Sequence, residues 1–227
     1  MPITVVVTTF ERDDFLKRCI LSIPPGFRII IQNTKGNLSW GRNEALSHVT
    51  TQYFLLMEDD MEFTAETYIN SLVDILKTDR SLLGVGGHID SKNKRHNWCH
   101  NFEVVNDERL EAQPSDEKVL KSNSGYLYRT CDLISNFVLL NARHCPLWDE
   151  ELEIQEHIEW FYRVKNTTPY RFAFTEASSI FHNCNQVEQY SEVYRAKRNR
   201  IREFSDLASK KIGLKLGNIH SKALPLC

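Results

Sequence analysis

The residues best equipped for chemistry stand together at Glu58-Asp59-Asp60, directly after the apolar run Phe54 to Met57. Three adjacent acids at the end of a buried strand repel one another, and desolvation raises their pKa values. A divalent cation resolves that repulsion. Magnesium and manganese take oxygen ligands, and where they serve phosphates one or two carboxylates hold them while the phosphates complete the shell. A solvated acidic loop or helix N-terminus is the alternative that the triplet alone leaves open. His96, Cys99 and His100 have no second ligand pair at zinc-like spacing and carry no metal assignment. Arg195, Arg198 and Arg202 recur at helical spacing near the end of the chain, where a basic stripe is either a solvated face or a contact for an anion.

The elements around the triplet read as alternating strands and helices. Thr4 to Thr9 is β-branched and apolar, and after Phe10-Glu11-Arg12-Asp13 the residues Phe15, Leu16, Cys19 and Ile20 recur at helical spacing. A second strand, Phe27 to Ile31, closes on the turn residues Gln32-Asn33-Thr34-Lys35-Gly36. A helix is expected from Gly41 to Val49 and a third strand from Tyr53 to Met57. Thr64 is expected to cap a helix carrying Tyr68/Ile69, Leu72/Val73 and Leu76 on one face. Leu83 to Gly87 reads as a further strand ended by paired glycines. This alternation predicts an α/β domain with a doubly wound, mostly parallel sheet, which binds ligands beyond the carboxyl ends of its strands. Thr8/Thr9, Asn33 and the triplet all stand at those ends, so three loops should converge on one crevice. Later come a hairpin around Asn106-Asp107, a strand at Ser135 to Leu140, an acidic helix from about Glu150 to Val164, a strand at Arg171 to Phe174 and a basic C-terminal helix.

The length of 227 residues, 41% of them hydrophobic, suits one such domain. No apolar run approaches a membrane span. The opening Met1-Pro2-Ile3-Thr4-Val5 reads as strand rather than secretory signal, so a cytoplasmic protein is expected, of bacterial or viral origin. Six cysteines without a CxxC pair are expected to be free thiols. The formal charge of −2 hides an asymmetry: residues 190–227 hold nine Lys/Arg against three Asp/Glu, and the rest holds nineteen against twenty-seven. A basic tail on an acidic body suggests an anionic partner near the C-terminus.

The block Gly41-Arg42-Asn43-Glu44-Ala45-Leu46-Ser47-His48-Val49-Thr50-Thr51-Gln52-Tyr53-Phe54-Leu55, running into Glu58-Asp59-Asp60, resembles family 2 glycosyltransferases of the GT-A (Rossmann-like) fold, in the branch that contains the β-1,4-N-acetylgalactosaminyltransferases. Val7-Thr8-Thr9-Phe10-Glu11-Arg12 is similar to their first donor-binding loop, Val85-Gly86-Gly87 also fits, Asp132 to Phe137 resembles their acceptor-side strand, and Phe181-His182 their late histidine. The likeness is dense over residues 4–87 and sparse beyond. It implies a single GT-A domain, with residues 1–90 binding the nucleotide sugar, 91–189 the acceptor and catalytic half, and 190–227 a basic helical tail.

Carried over position by position, the resemblance makes Asp60 and His182 ligands of Mn2+ or Mg2+, with Glu58 standing in for the first acid and reaching the ribose or the same metal. Asp59 would support them, and Thr8, Phe10, Arg12, Asn33 and Arg42 would hold base, ribose and diphosphate, Arg42 through its planar donor fork. Acceptor contacts would come from Asp132, Asn136 and Trp160, with Arg195, Arg198 and Arg202 behind them. An inverting reaction also needs a general base on the far face of the sugar. Where relatives commonly place an Asp after a Glu, this chain reads Gln155-Glu156-His157-Ile158-Glu159-Trp160, which leaves His157, Glu156 and Glu159 as candidates. Two further departures are Asn33 in place of an acid that recognises uracil and Glu58 in place of Asp. The implied reaction is metal-dependent transfer from a nucleotide-diphosphate sugar, a UDP-sugar favoured, to a glycan or glycolipid hydroxyl. Hydroxymethylated DNA, held by phosphate neutralisation with its target base flipped out, is the alternative acceptor. A non-catalytic sugar-nucleotide-binding module is the alternative of another class.

Overall fold

The structure is a computed structural model that describes residues 2–92, 94–183 and 199–217. Its elements in chain order are β1 (Ile3–Thr9), α1 (Asp13–Ser22), β2 (Arg28–Asn33), α2 (Leu38–Ser47), β3 (Tyr53–Glu58), β4 (Met61–Glu62), α3 (Ile69–Thr78) and β5 (Leu82–Ser91). There follow β6 (Lys94–His96), β7 (His100–Val105), β8 (Arg109–Pro114), β9 (Leu120–Lys121), β10 (Leu127–Cys131), β11 (Val138–Asn141), α4 (Glu156–Thr167), β12 (Arg171–His182), α5 (Ile201–Ile212) and β13 (Lys215–Leu216). The main sheet has the order β2-β1-β3-β11-β5-β12-β10-β9, and a second sheet has the order β13-β8-β7. In the main path only β11 and β10 run against the rest, so the expected mostly parallel α/β sheet is present.

Both faces of the central strands are buried, which is why β1 and β3 read as continuous apolar runs. Val5 and Val7 of β1, with Tyr53, Leu55 and Met57 of β3, point into one core, where Leu72 and Ile75 of α3 and Cys19 of α1 meet them. Val6, Phe54 and Leu56 point the opposite way, into a core completed by Ala45 of α2 and by Trp160 and Phe161 of α4. The two-residue period of a strand alone produces this split.

Several boundaries differ from those expected. α2 begins at Leu38, because the Asn37 side chain accepts the Trp40 N–H and caps it. Thr64 does not cap α3; its hydroxyl accepts the Glu66 N–H in a turn that precedes the helix. The paired glycines do not end β5, which runs on to Ser91. A Cβ at Gly87 would lie 2.2 Å from the Ser178 carbonyl oxygen, so the strand passes there against the irregularity in β12 between Phe174 and Ser179. Ser135 to Phe137 form a loop before β11, and α4 starts only at Glu156, because residues 149–155 turn to dock on α2. The hairpin at Asn106-Asp107 forms as expected, with both residues at positive φ. Cys19, Cys99, Cys131 and Cys145 are free thiols.

Candidate active site

The site forms where the carboxyl ends of β1 and β3 meet the loop after β2. Thr34 donates its N–H to the Thr9 carbonyl at 2.9 Å, which joins the first two loops. Thr8, Thr9, Phe10, Arg12, Thr34 and Glu58 line one crevice. A neighbouring crevice shares Thr9 and Arg12 and extends to Asn33. The expected convergence of three loops is therefore present, with Asn33 exposed at its edge and its Oδ1 accepting the Lys35 N–H at 2.8 Å.

The acids are buried and tied down. Asp59 is fully buried; Thr9 Oγ1 donates to its Oδ2 at 2.7 Å, and the Arg12 guanidinium grips both of its oxygens. Arg12 Nη1 also reaches Asp60 Oδ2 at 2.9 Å. Two residues of β4 pair antiparallel with the end of β12, His182 opposite Met61, and Asn183 donates its N–H to the Asp60 carbonyl at 2.9 Å. That short ladder is what carries His182 to the triplet, where Nε2 lies 3.4 Å from Asp60 Oδ2. Burial raises the Glu58 carboxyl, Asp60 raises it further, and burial pushes Asp59 up to about 7 against the pull of Arg12. Burial opposes ionisation of Asp60 as well, but His182 and Arg12 outweigh it and lower its pKa. For His182 burial works against the charged ring, and Asp60 prevails and raises it.

The fit to a divalent cation rests on Asp60. Its Oδ1 is buried and has no hydrogen-bond partner among the described residues, an unusual state for a carboxylate oxygen. With the His182 imidazole beside it, this is an oxygen and nitrogen donor pair next to Arg12, which suits an ion that keeps water or phosphate in the rest of its shell. Glu58 does not close a three-ligand cluster: its Oε1 accepts from Asn136 Nδ2 at 2.7 Å and lies 3.5 Å from Arg42 Nη2. Among the described residues no three His, Cys, Asp or Glu side chains converge as metal ligands.

Arg42 is not a surface residue. It is 1% exposed and ion-paired with Glu156, itself buried, beneath the Trp148 ring. This pair locks α2 to the start of α4, together with Ser39 Oγ donating to the Leu152 carbonyl at 2.7 Å. Glu159 is also buried and is paired with Arg163 at 2.7 Å, one turn along α4. His157 remains partly open, and its Nε2 lies 3.0 Å from the Ile134 carbonyl. A carbonyl only accepts, so Nε2 carries the proton and Nδ1 is the basic atom.

Of the six acceptor-side residues expected, two are corrected and the others fall elsewhere. Trp160 is core: it is 1% exposed, stacked on Trp148 at 4.7 Å, and its indole N–H donates to the Pro146 carbonyl. Asp132 is buried in a structural network, accepting from the Phe102 N–H at 3.0 Å and from Lys165 Nζ at 2.6 Å. Asn136 is at the site, but on Glu58. Arg202 is exposed on α5, whereas Arg195 and Arg198 lie outside the described residues.

A family model described as glycosyl transferase family 2 matches residues 21–139, which span α2, the triplet and the start of β11. The chain belongs to glycosyl transferase family 2. The mouse β-1,4 N-acetylgalactosaminyltransferase 1 is 35% identical over 36% of this chain and 20% of that protein. The human enzyme is 33% identical over the same shares. This family 2 chain thus spans about a fifth of the length of the curated relatives it matches. By fold it resembles GalNAc-T7, solved with UDP, GalNAc and Mn2+, at TM-score 0.59 and 11% identity over 95% of this chain and 55% of that one. Residues 1–349 of S. aureus TarS, in complex with UDP-GlcNAc, give TM-score 0.57 at 12% identity over 97% of this chain and 69% of that one. The fold of a family 2 glycosyltransferase is therefore the fold seen here.

Sequence reasoning missed two of this family 2 site's contacts. Thr9, rather than Thr8, bonds the triplet; a pairing of β1 with β3 that sets Thr8 beside Glu58 puts the next residue beside Asp59. The engagement of Arg12 with Asp59 and Asp60 had no local signal, because 47 residues separate Arg12 from the first of these acids.

Proposed function

We propose that this family 2 chain is an inverting, divalent-cation-dependent glycosyltransferase that moves a sugar from a nucleoside diphosphate donor, a UDP-sugar first among them, to a hydroxyl of a glycan or glycolipid. The observation that carries the reading is the buried Oδ1 of Asp60, without a hydrogen-bond partner among the described residues, on a carboxylate that His182 approaches and that Arg12 of the crevice wall contacts. The UDP, UDP-GlcNAc and Mn2+ with which similarly folded proteins were solved support the donor and metal classes.

In this reading Asp60 and His182 hold the cation, and Glu58 faces the ribose or the same ion. A bound divalent ion would stabilise the negative charge that grows on the diphosphate as the anomeric carbon departs. Thr8, Phe10 and Asn33 bind the nucleoside in the paired crevices, and Asp59 supports Asp60. Arg42 does not touch donor; with Glu156 it fixes α4 relative to the triplet. His157 takes the acceptor hydroxyl's proton at Nδ1, since Glu156 and Glu159 are both spent in buried ion pairs. Residues 1–90 supply most of the donor side, and 91–189 supply the base and the late histidine.

The test is diphosphate released from a panel of nucleotide sugars, with Mn2+ present or chelated and an oligosaccharide acceptor panel. Turnover should require Mn2+ and fall by at least about a hundredfold in Asp60→Ala, the scale expected when a proposed metal ligand is removed. Donor binding without turnover in either protein sinks the enzymatic reading.

A further inference from the structure

Arg12 stands where its charge competes with the cation. Its guanidinium makes contacts through all three nitrogens: Nη2 to Asp59 Oδ1, Nε to Asp59 Oδ2 at 3.2 Å, and Nη1 to Asp60 Oδ2 at 2.9 Å. The last oxygen is the one His182 also approaches. The chain therefore places one of its own positive charges against the two acids that most need neutralising. The backbone is bent to do this. Glu11 adopts φ 53°, the left-handed region that a non-glycine residue occupies at a cost, and so turns Arg12 inward immediately before α1. The guanidinium lies 5.4 Å from the Phe15 ring centroid, which backs it from the helix side.

Arg12 also borders both crevices and keeps 14% of its side-chain surface open. The same side chain therefore touches the carboxylates and borders the space lined by Thr8, Thr9 and Phe10. A divalent ion on Asp60 Oδ1 and a guanidinium on Oδ2 of the same carboxylate repel each other, whereas a guanidinium and a diphosphate attract.

We propose that Arg12 is a displaceable internal counter-ion of Asp59 and Asp60: a divalent cation must evict it, and the evicted guanidinium then holds the donor's phosphates. This rests on the cation reading given above. It makes Arg12 a residue that weakens metal binding before the donor arrives and strengthens donor binding afterwards, so metal and nucleotide bind cooperatively.

The test is titration of the protein with Mn2+ alone, followed by the electron paramagnetic resonance signal of the free ion, for the native chain, Arg12→Gln and Arg12→Lys. Without nucleotide, Arg12→Gln should bind Mn2+ on the order of tenfold more tightly than the native chain, the lower end of what a neighbouring charge does to a carboxylate's affinity for a cation. Arg12→Lys should stay near the native value. At saturating Mn2+ the order reverses for UDP, which Arg12→Gln should bind on the order of tenfold more weakly. Equal or weaker Mn2+ binding by Arg12→Gln overturns the inference and leaves the cation reading intact; no Mn2+ binding by any of the three proteins overturns both. Should Arg12→Gln fail to fold when the acids lose their counter-ion, its refolding in Mn2+ supports the inference, and its failure to refold there overturns it.

Discussion

At the scale of single residues, the site distinguishes groups that touch reactants from groups that hold others in place. His157 belongs to the first kind in the proposed reaction. Replacing it with Gln should lower kcat by about a hundredfold to ten-thousandfold, the range of a general base, while Mn2+ binding stays native. A loss confined to KM would move the base elsewhere. Arg42 and Glu156 belong to the second kind. Their ion pair is buried on both sides, so removing one partner strands the other's charge. Arg42→Ala or Glu156→Ala should each destabilise the fold by about 3–5 kcal/mol, and a double replacement by apolar residues should cost less than either single change. Denaturant unfolding of the three variants measures this; additive losses would mean that the pair is not coupled.

At the scale of elements, most of the donor half could be read directly from the chain. β1, β3 and α3 declared themselves because both faces of the strands and one face of the helix are apolar, and because the triplet follows β3 without a gap. The acceptor half was less legible for a physical reason. Its contacts are long-range and specific: α4 is located by Arg42, Ser39 and Asn43 of α2 rather than by any pattern of its own. Trp160 is expected as an acceptor contact, yet an aromatic on an acidic helix serves equally well as core, and its neighbour Trp148 decides the matter. Asp132 and Asn136 belong to one segment that resembled an acceptor strand. One of them faces Lys165 in the structural interior and the other faces Glu58, a distinction that no spacing rule contains.

At the scale of the whole molecule, the second sheet hangs on the main one at His100, which exchanges backbone hydrogen bonds with Leu133. The ring of His100 is buried, its Nδ1 has no hydrogen-bond partner among the described residues, and burial lowers its pKa below the ordinary 6.5. The folded chain then binds a proton less readily than the unfolded chain. The stability that His100 supports is complete above pH 6.5 and is lost as pH falls below it toward the folded value. The melting temperature of the native chain should therefore drop more between pH 7 and about 5.5 than that of His100→Gln. Parallel curves would remove His100 from the acid response. Elsewhere α5 closes the other end of the fold through Phe204 and Ala208 and through Lys211, which lies 2.7 Å from Asp149. Among the described residues no helix is long and apolar enough to cross a membrane.

The two-residue ladder between β4 and β12 has a consequence for how the chain is made. The acids leave the ribosome more than a hundred residues before the histidine that faces them, which arrives only when β12 zips onto β4. Between those two moments a nascent chain holds the acids and Arg12 but not His182, so the acidic cluster has the guanidinium as its companion before it has the imidazole.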